Sequence, residues 1–545
     1  MRCTTLAEAA HTDVLILGSG CAGLTAALVA ARAGLRVTVL EKADTVGGTS
    51  AMSGAGTWIP ANRHARDAGI ADSAAEALAY IGAAAPDGWA ATEAPLWRAF
   101  VEAAPTMLDF VEAQTPLRFR LTPEPDPLRT LPGAKPRGRM LSPLPLRRAL
   151  AGPFARSICR STIPDLFTYH EAVETDLYHH PVRTTVELLP QLIRRVLTGE
   201  RGKGTALIIG LLRGCLDAGC RIETGARALE LLTDASGAVT GALVEQAGTR
   251  TAWHAARGVV IATGGFEWDA AMLAEHFPGP IDYLGSPADN TGDGQRMAAS
   301  AGAQLARMDQ ATLTPSIPKR HQGRVLAMPV PFHTEPNAML VNRHGRRFIN
   351  ELTFNIGEAM DARDTEGAPV HLPCWIVSDA AMLDAMPLVR WAARNDRGWL
   401  RRADTLAGLA RQTGLPAEAL AGSVARFNAA AEAEHDPEFG RPARRDETPA
   451  DKRRRAGLQP ITRPPFLAMP FNRSILGTKG GARTNEHGEV LRPDGSVVPG
   501  LFAAGGAMAS PIGTRNVGTG TTIGPFMTWG YICGRRLARR NRDGT

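Results

Sequence analysis

Short, almost wholly apolar runs that stop at glycine alternate along this chain with longer stretches of helical period. Val14–Leu17 is such a run, halted by Gly18, and reads as a strand covered on both faces. The alanine-rich stretch Leu24–Ala33 then has the period of a helix, and Arg36–Leu40 reads as a second parallel strand ending at Glu41. Asp72–Ala85 and Glu93–Ala113 are helical in period, whereas residues 115–145 are rich in proline and predict a long surface excursion or lid. Further on, Gly202–Ala218 predicts a glycine-opened helix and Arg221–Glu230 a strand returning to the first sheet. Val239–Gln246 with Thr249–Ala255 predicts a hairpin, Gly258–Gly265 a buried strand ending in a glycine turn, and Asp289–Gly294 the opening of another helix. From Leu305 to Ser474 the pattern becomes mixed, as expected of an inserted domain. Strand-and-turn character resumes over Arg483–Gly506, followed by a glycine/threonine-rich loop, Gly513–Gly524, and a last helix, Pro525–Arg539. The division predicted is residues 1–304, an insertion at 305–474, and 475–545 completing the first domain.

The first turn has a defined chemistry. Gly18-Ser19-Gly20-Cys21-Ala22-Gly23 follows a strand and opens a helix. In that context the first glycine permits a tight turn, the second lets backbone approach a pyrophosphate, and the third allows close helix–strand packing. The phosphates would rest on the N–H groups of the helix start. Glu41 lies about 20 residues on, where a ribose needs an acceptor. Strand, helix, second strand and acid in this order predict dinucleotide binding on a Rossmann-like α/β domain. Gly47, Gly48, Thr49, Ser50, Ser53 and Gly54 form a second glycine/hydroxyl loop able to reach phosphates or a ring.

Composition narrows the remainder. A chain of 545 residues exceeds one simple core, and 44% hydrophobic with 21% charged residues is globular. No apolar run reaches the length of a membrane span, and the first twelve residues lack a secretory or twin-arginine pattern, so the expected location is cytoplasmic. The net charge of +7 is concentrated at Lys452–Arg455 and Arg535–Arg542; with 6% aromatic residues it predicts a solvated surface and no nucleic-acid partner. Seven scattered cysteines without Cys-x-x-Cys spacing predict reduced, buried thiols, Cys21 being a small residue that fits its turn. Tyr169, His170, Tyr178, His179 and His180 crowd one stretch with Glu171, Glu174 and Asp176 between them; the spacing fits no metal motif and predicts polar groups at a pocket mouth or interface.

Four segments carry a resemblance over essentially the full chain: Gly47–Gly54, Val341-Asn342-Arg343-His344-Gly345-Arg346-Arg347-Phe348, Leu476-Gly477-Thr478-Lys479-Gly480-Gly481 and Gly518–Pro525. With them the chain resembles the flavoprotein family of fumarate reductases and 3-ketosteroid Δ1-dehydrogenases, most closely the ketosteroid branch. The resemblance implies FAD bound by a domain split around an inserted α+β capping domain, with the flavin ring between the two. It further implies Glu41 at the adenosine ribose with Lys42 among the cofactor-binding residues, Gly47 to Ser50 lining the ring and phosphates, Ala228 facing adenine, and Asp293 on the ribityl–phosphate side. Thr263 and Gly264, Gly505 and Gly506, and Thr521, Thr522 and Ile523 would complete the cofactor contacts. Succinate dehydrogenases tether the flavin through a histidine in the first glycine/hydroxyl loop; none occurs from Gly47 to Gly56, which implies non-covalent FAD.

The substrate half departs from both branches. Where ketosteroid enzymes carry three tyrosines, this chain aligns Leu128 or Pro127, Asn355 and Asn516. The arginine acid of fumarate reductases is replaced by Thr353-Phe354-Asn355, and their substrate histidine by Gly477. Arg515 does match that branch, where a guanidinium clamps a carboxylate or polarises a carbonyl; its alternative role is to pair with an acid across the domain interface. Desaturation next to a carbonyl needs a base, a donor for the enolate oxygen and a hydride acceptor. Arg515, Asn516, Asn355 and Lys479 are the candidates near the ring, with His333 the candidate base. Tyr531 is expected to pack inside the last helix. The expected activity is FAD-dependent desaturation, or reduction, of a carbon pair beside a carbonyl in a small cyclic ketone, with an unidentified electron partner. The alternatives are Arg515-assisted reduction of an unsaturated carboxylate, a flavin oxidase or monooxygenase, and a flavin-binding protein without catalysis.

Overall fold

The computed structural model describes residues 5–6, 8–443 and 457–539. Cys3, the basic run Lys452–Arg455 and the end of the Arg535–Arg542 tail lie outside them. Strand β1 (Ala10–Leu17), helix α1 (Cys21–Arg32) and strand β2 (Val37–Leu40) form the first βαβ unit. Helix α2 (Lys203–Asp217) leads to β3 (Arg221–Glu223), followed by β4 (Ala226–Thr233), β5 (Val239–Gln246) and β6 (Thr249–Ile261). Strand β7 (Val497–Ala503) and helix α3 (Ile523–Arg539) come from the far end of the chain. The parallel core runs β7–β6–β1–β2–β3, with Val259 level with both Leu15 and Leu501, and Val14 level with Val37. Its central residues Val14–Leu17 and Val259–Ile261 are fully buried, which is why they carry no polar alternation.

Two predicted strands take a different form. The hairpin strand and the Gly258–Gly265 strand are a single element, β6, whose first half pairs antiparallel with β5 and whose second half enters the parallel core. The irregularity between Ala255 and Gly258 allows the switch; Gly258 has φ +147°, and a Cβ there would lie 2.7 Å from Gly500 O. Conversely Arg221–Glu230 is two strands, broken at Gly225 (φ +64°), because its start joins β2 while its continuation pairs with β5.

The proline-rich excursion is tied down. Phe119–Leu121 and Met140–Pro143 pair with each other, and the latter pairs with Thr57–Trp58. Beside them buried Arg139 bridges Asp72 (2.7 Å) and Asp126 (2.9 Å) beneath the Trp58 ring. Burying one guanidinium with two carboxylates is favourable only with this full pairing, so the segment is held as part of the core wall.

Within residues 305–474, Met339–Val341, Trp375–Ser378, Phe466–Pro470 and Arg401–Ala403 form an antiparallel sheet. Leu340, Ile376 and Met469 pack on one face and Val341, Val377 and Ala468 on the other. The Arg343–Phe348 motif serves this packing: buried Arg347 pairs with Glu351 and Asp436, each at 2.8 Å, and Arg441 meets the same Glu351 at 3.0 Å. Helix α3 lies directly on α1, where Gly530 is required because a Cβ would sit 2.2 Å from Ala22 O.

Among the described residues no helix is long and apolar enough to cross a membrane, and no cluster of three or more His, Cys, Asp or Glu is arranged to hold a metal. The six described cysteines are buried and unbridged, and burial pushes the Cys21 thiol up to about 11, leaving it unreactive.

Candidate functional site

A cavity of about 1370 Å³ runs from the glycine turn after β1, across the carboxyl ends of the parallel strands, to the loops at residues 329–334 and 352–357 of the inserted segment. Single ligand pockets usually hold roughly 300–1,000 Å³, so this one has room for a dinucleotide and a second molecule. Helix α1 starts at Gly20 with no side-chain cap and no acid in its first turn. Its N-terminal dipole and remaining N–H groups therefore face the cavity free for an anion. Gly18 stands at φ +108°, where a Cβ would lie 2.3 Å from Ala262 O, and a Cβ on Gly23 would lie 2.1 Å from Gly18 O. At Gly20 a Cβ would meet only Ser50 Oγ, at 3.5 Å; the demand for glycine there comes from whatever approaches through the cavity.

The end of β2 is organised around Glu41. Its Oε2 accepts from Ser19 N (3.0 Å) and Ser19 Oγ (2.6 Å), and its Oε1 from Ala43 N (3.0 Å). Burial pushes its carboxyl above the ordinary value against those bonds. Ser19 Oγ in turn accepts from Gly47 N at 2.9 Å, and Ser50 Oγ accepts from Cys21 N at 3.1 Å, so the two glycine loops are fastened together. Lys42 donates to Thr291 Oγ1 (2.8 Å) and Asp293 Oδ2 (3.0 Å), and Arg227 Nε reaches the same carboxylate at 3.0 Å. Burial opposes the charge on Asp293, but the bonds from Arg227 and Lys42 outweigh it and hold the carboxyl below its usual range. These partners are the chain neighbours of Glu41 and Ala228, so Asp293 ties both segments together at the cavity wall.

The other end is assembled from distant glycine turns. Gln295 Nε2 donates to the carbonyls of Gly264, Gly480 and Gly506, each at 3.2 Å. Buried Glu267 accepts from Thr478 N and Oγ1 (both 3.1 Å) and from Asn290 Nδ2 (2.7 Å), and Asn290 also donates to Thr49 Oγ1 (2.9 Å). Glu267, Asn290 and Gln295 went unnoticed in the sequence; the only signal was their position inside or beside the Gly258–Gly265 and Asp289–Gly294 stretches.

Most of the expected cofactor residues line the cavity, including Lys42, Gly48, Thr49, Ser50, Ser53, Gly54, Ala228, Thr263, Gly264, Gly505, Gly506, Thr522 and Ile523. Gly23, Gly47 and Thr521 do not. Gly23 is needed for packing, Gly47 (φ +97°) for the turn against Ile208, and the Thr521 hydroxyl is turned inward to Gly518 O at 2.7 Å.

Among the catalytic candidates Arg515 requires correction. Its guanidinium does not line the cavity; Nε donates to Glu358 Oε2 at 2.8 Å and NH1 reaches Ala84 O at 3.4 Å. Glu358, on the short helix Ile356–Met360 of the inserted segment, draws it across the interface. The neighbouring Asn516 does line the cavity, locked reciprocally to Asn355: Asn355 Nδ2 donates to Asn516 O (3.0 Å) and Asn516 N to Asn355 Oδ1 (2.9 Å). Lys479 is buried against this pair, donating to Gly513 O (2.5 Å) and Asn516 Oδ1 (2.7 Å). Burial pushes its ammonium down to about 7. His333 lines the cavity within a buried turn, its ring 5.3 Å from that of Phe471. Tyr531 packs against Phe110.

A buried phenol–carboxylate pair was not anticipated. Tyr169 Oη donates to Glu124 Oε1 at 2.8 Å, and Thr122 Oγ1 to Glu124 Oε2 at 3.2 Å, while Thr519 lines the same cavity. Burial raises both, the carboxyl above its ordinary range and the phenol well above its own with the carboxylate adding to the effect. Gly54 and Gly56 make room for the phenol, since Cβ atoms there would sit 3.1 and 3.4 Å from its ring. Asp176 and Tyr178 line the same wall, and His179 behind them joins Asp176 and Glu335 at 2.7 Å each. The crowded stretch 169–180 thus supplies the cavity wall.

The sequence matches the family described as FAD binding domain over residues 13–523. Over 548 residues it is 36% identical to a 4-oxocyclohexanecarboxylate 2-dehydrogenase of Sinomonas cyclohexanicum, covering 96% of this chain and 92% of that protein. A 3-oxosteroid 1-dehydrogenase of Mycobacterium tuberculosis is 31% identical, with 96% and 98% covered. The crystal structure of 3-ketosteroid Δ1-dehydrogenase from Sterolibacterium denitrificans in complex with 1,4-androstadiene-3,17-dione aligns with a TM-score of 0.86 at 30% identity, covering 97% of this chain and 100% of that one. An open flavocytochrome c3 fumarate reductase, at 21% identity and TM-score 0.63 over 97% and 78%, shares the fold.

Proposed function

We propose, for a chain that belongs to the FAD binding domain family and is an FAD-dependent oxidoreductase acting on CH–CH bonds, that it desaturates the carbon pair next to the carbonyl of a cyclic ketone. The observation that carries this reading is the Glu124–Tyr169 pair in the wall of the cofactor cavity. Bound FAD would supply the two-electron sink for the hydrogen leaving the β-carbon with its electron pair. Tyr169 Oη accepts the α-proton, passing its own proton to Glu124, whose raised carboxyl matches it to that exchange. Lys479 donates two of its three N–H groups to Gly513 O and Asn516 Oδ1; the third is left for the carbonyl oxygen, where negative charge grows as the enolate forms. Asn355 positions this donor by holding Asn516.

Anaerobic mixing of the yellow protein with 4-oxocyclohexanecarboxylate and with a 3-ketosteroid, the compound classes named for the relatives, tests the reading. Bleaching of the flavin by one of them, slowed at least a hundredfold in Tyr169→Phe with FAD retained, is the expected result. Oxidised flavin inert to every ketone, with reduced flavin reoxidised by unsaturated dicarboxylates, would reverse the direction in favour of the reductase reading, for which Arg515 no longer offers a clamp.

A further inference from the structure

Lys203 opens α2 between two glycines and itself stands at φ +56°. A side chain in that left-handed region is strained and persists where the surroundings enforce it. Both flanking glycines are pressed against backbone: a Cβ on Gly202 would lie 2.8 Å from Phe167 O, and one on Gly204 2.2 Å from Ser50 O. The residue is 4% exposed, yet it lines the cavity together with Ser53, Thr162 and Ile163. No hydrogen bond or salt bridge engages its ammonium among the described residues. The carboxylates whose field reaches it are already paired, Glu171 with Arg195 (2.6 Å), and Asp165 with Arg201 (3.6 Å) and Arg148 (3.8 Å). Lys319, bonded to Thr162 O, adds a second positive charge to the same end. Burial pushes the Lys203 ammonium down to about 8, which leaves it mostly charged at neutral pH. A buried charge without a partner is costly, and here the open side is the cavity.

We propose that Lys203 is an anion subsite that binds a carboxylate carried by the ketone substrate. This rests on the desaturation reading and adds the substrate's second functional group. The competing source of negative charge is the cofactor's pyrophosphate. Gly202 packs on Phe167 and Thr168, immediately before Tyr169, which brings the backbone of Lys203 beside the segment that carries the acid–base pair and favours the substrate as the source.

The test uses the holoenzyme with 4-oxocyclohexanecarboxylate and its methyl ester. Dissociation constants are read from perturbation of the oxidised flavin spectrum and KM from turnover. Lys203→Met should raise both constants at least tenfold for the acid and less than twofold for the ester, and Lys203→Arg should recover most of the difference. Equal effects on acid and ester would overturn the proposal. So would loss of FAD with an unchanged acid-to-ester ratio, which would assign the ammonium to the cofactor's phosphates. If neither compound is dehydrogenated the desaturation reading fails, while the ratio of dissociation constants still decides the role of Lys203.

Discussion

Replacing Lys479 by methionine isolates the energetics of a charge buried without a carboxylate. Burial lowers the ammonium from its ordinary 10.5 to about 7. At about 1.4 kcal/mol per pH unit, that disfavours the charged form by about 5 kcal/mol relative to the neutral amine. Because the folded value lies below the unfolded one, the unfolded chain binds more protons between pH 7 and 10.5, and this group makes folding stability rise with pH across that window. Below pH 7 both states are charged and the full penalty stands. Methionine has no such term, so the stability of Lys479→Met relative to wild type should decline by about 2.5 kcal/mol between pH 6.5 and pH 9. The two lost hydrogen bonds, to Gly513 O and Asn516 Oδ1, lower the variant by about 1.5–3 kcal/mol each and set the level of the difference without setting its slope. Urea unfolding of both proteins at the two pH values, with FAD saturating, measures it. A difference independent of pH would refute the buried-ammonium argument. In kinetics, wild-type desaturation should fall as pH rises through about 7, where the donor loses its charge, and the variant should lack that limb.

Two further outcomes follow from the cavity. Arg515→Ala breaks a half-exposed pair with Glu358; it should cost no more than about 1 kcal/mol in urea unfolding and leave turnover within a few-fold, so a hundredfold loss would return Arg515 to the site. Glu41→Ala removes an acceptor held by Ser19, and FAD should bind about ten- to a hundredfold more weakly by fluorescence titration; acid precipitation of the wild type should release the flavin into the supernatant.

The cofactor half was legible because its signals are local. A Gly-x-Gly-x-x-Gly turn, the strand before it and the acid after it lie within thirty-odd residues of one another, and their geometry follows from backbone sterics at Gly18 and Gly23. The family resemblance extended this to the Gly505–Gly506 and Thr522–Ile523 segments, which reach the same cavity from the far end of the chain. The substrate half was not legible, because its groups meet only through folding. Glu124 comes from the proline-rich excursion, Tyr169 from a helix beyond it and Thr519 from the last loop, and a search confined to positions aligned with tyrosines of other enzymes passes over a phenol brought in from another segment. Arg515 shows the converse. It stands next to Asn516, which lines the cavity, but its own side chain is drawn to Glu358, and neither Arg515 nor Glu358 lines the cavity. By itself the sequence determined the nucleotide turn, the strands that carry it and the helices of clear period. Tertiary structure alone decided which charges are buried and which are paired, because desolvation depends on neighbours contributed by the whole chain.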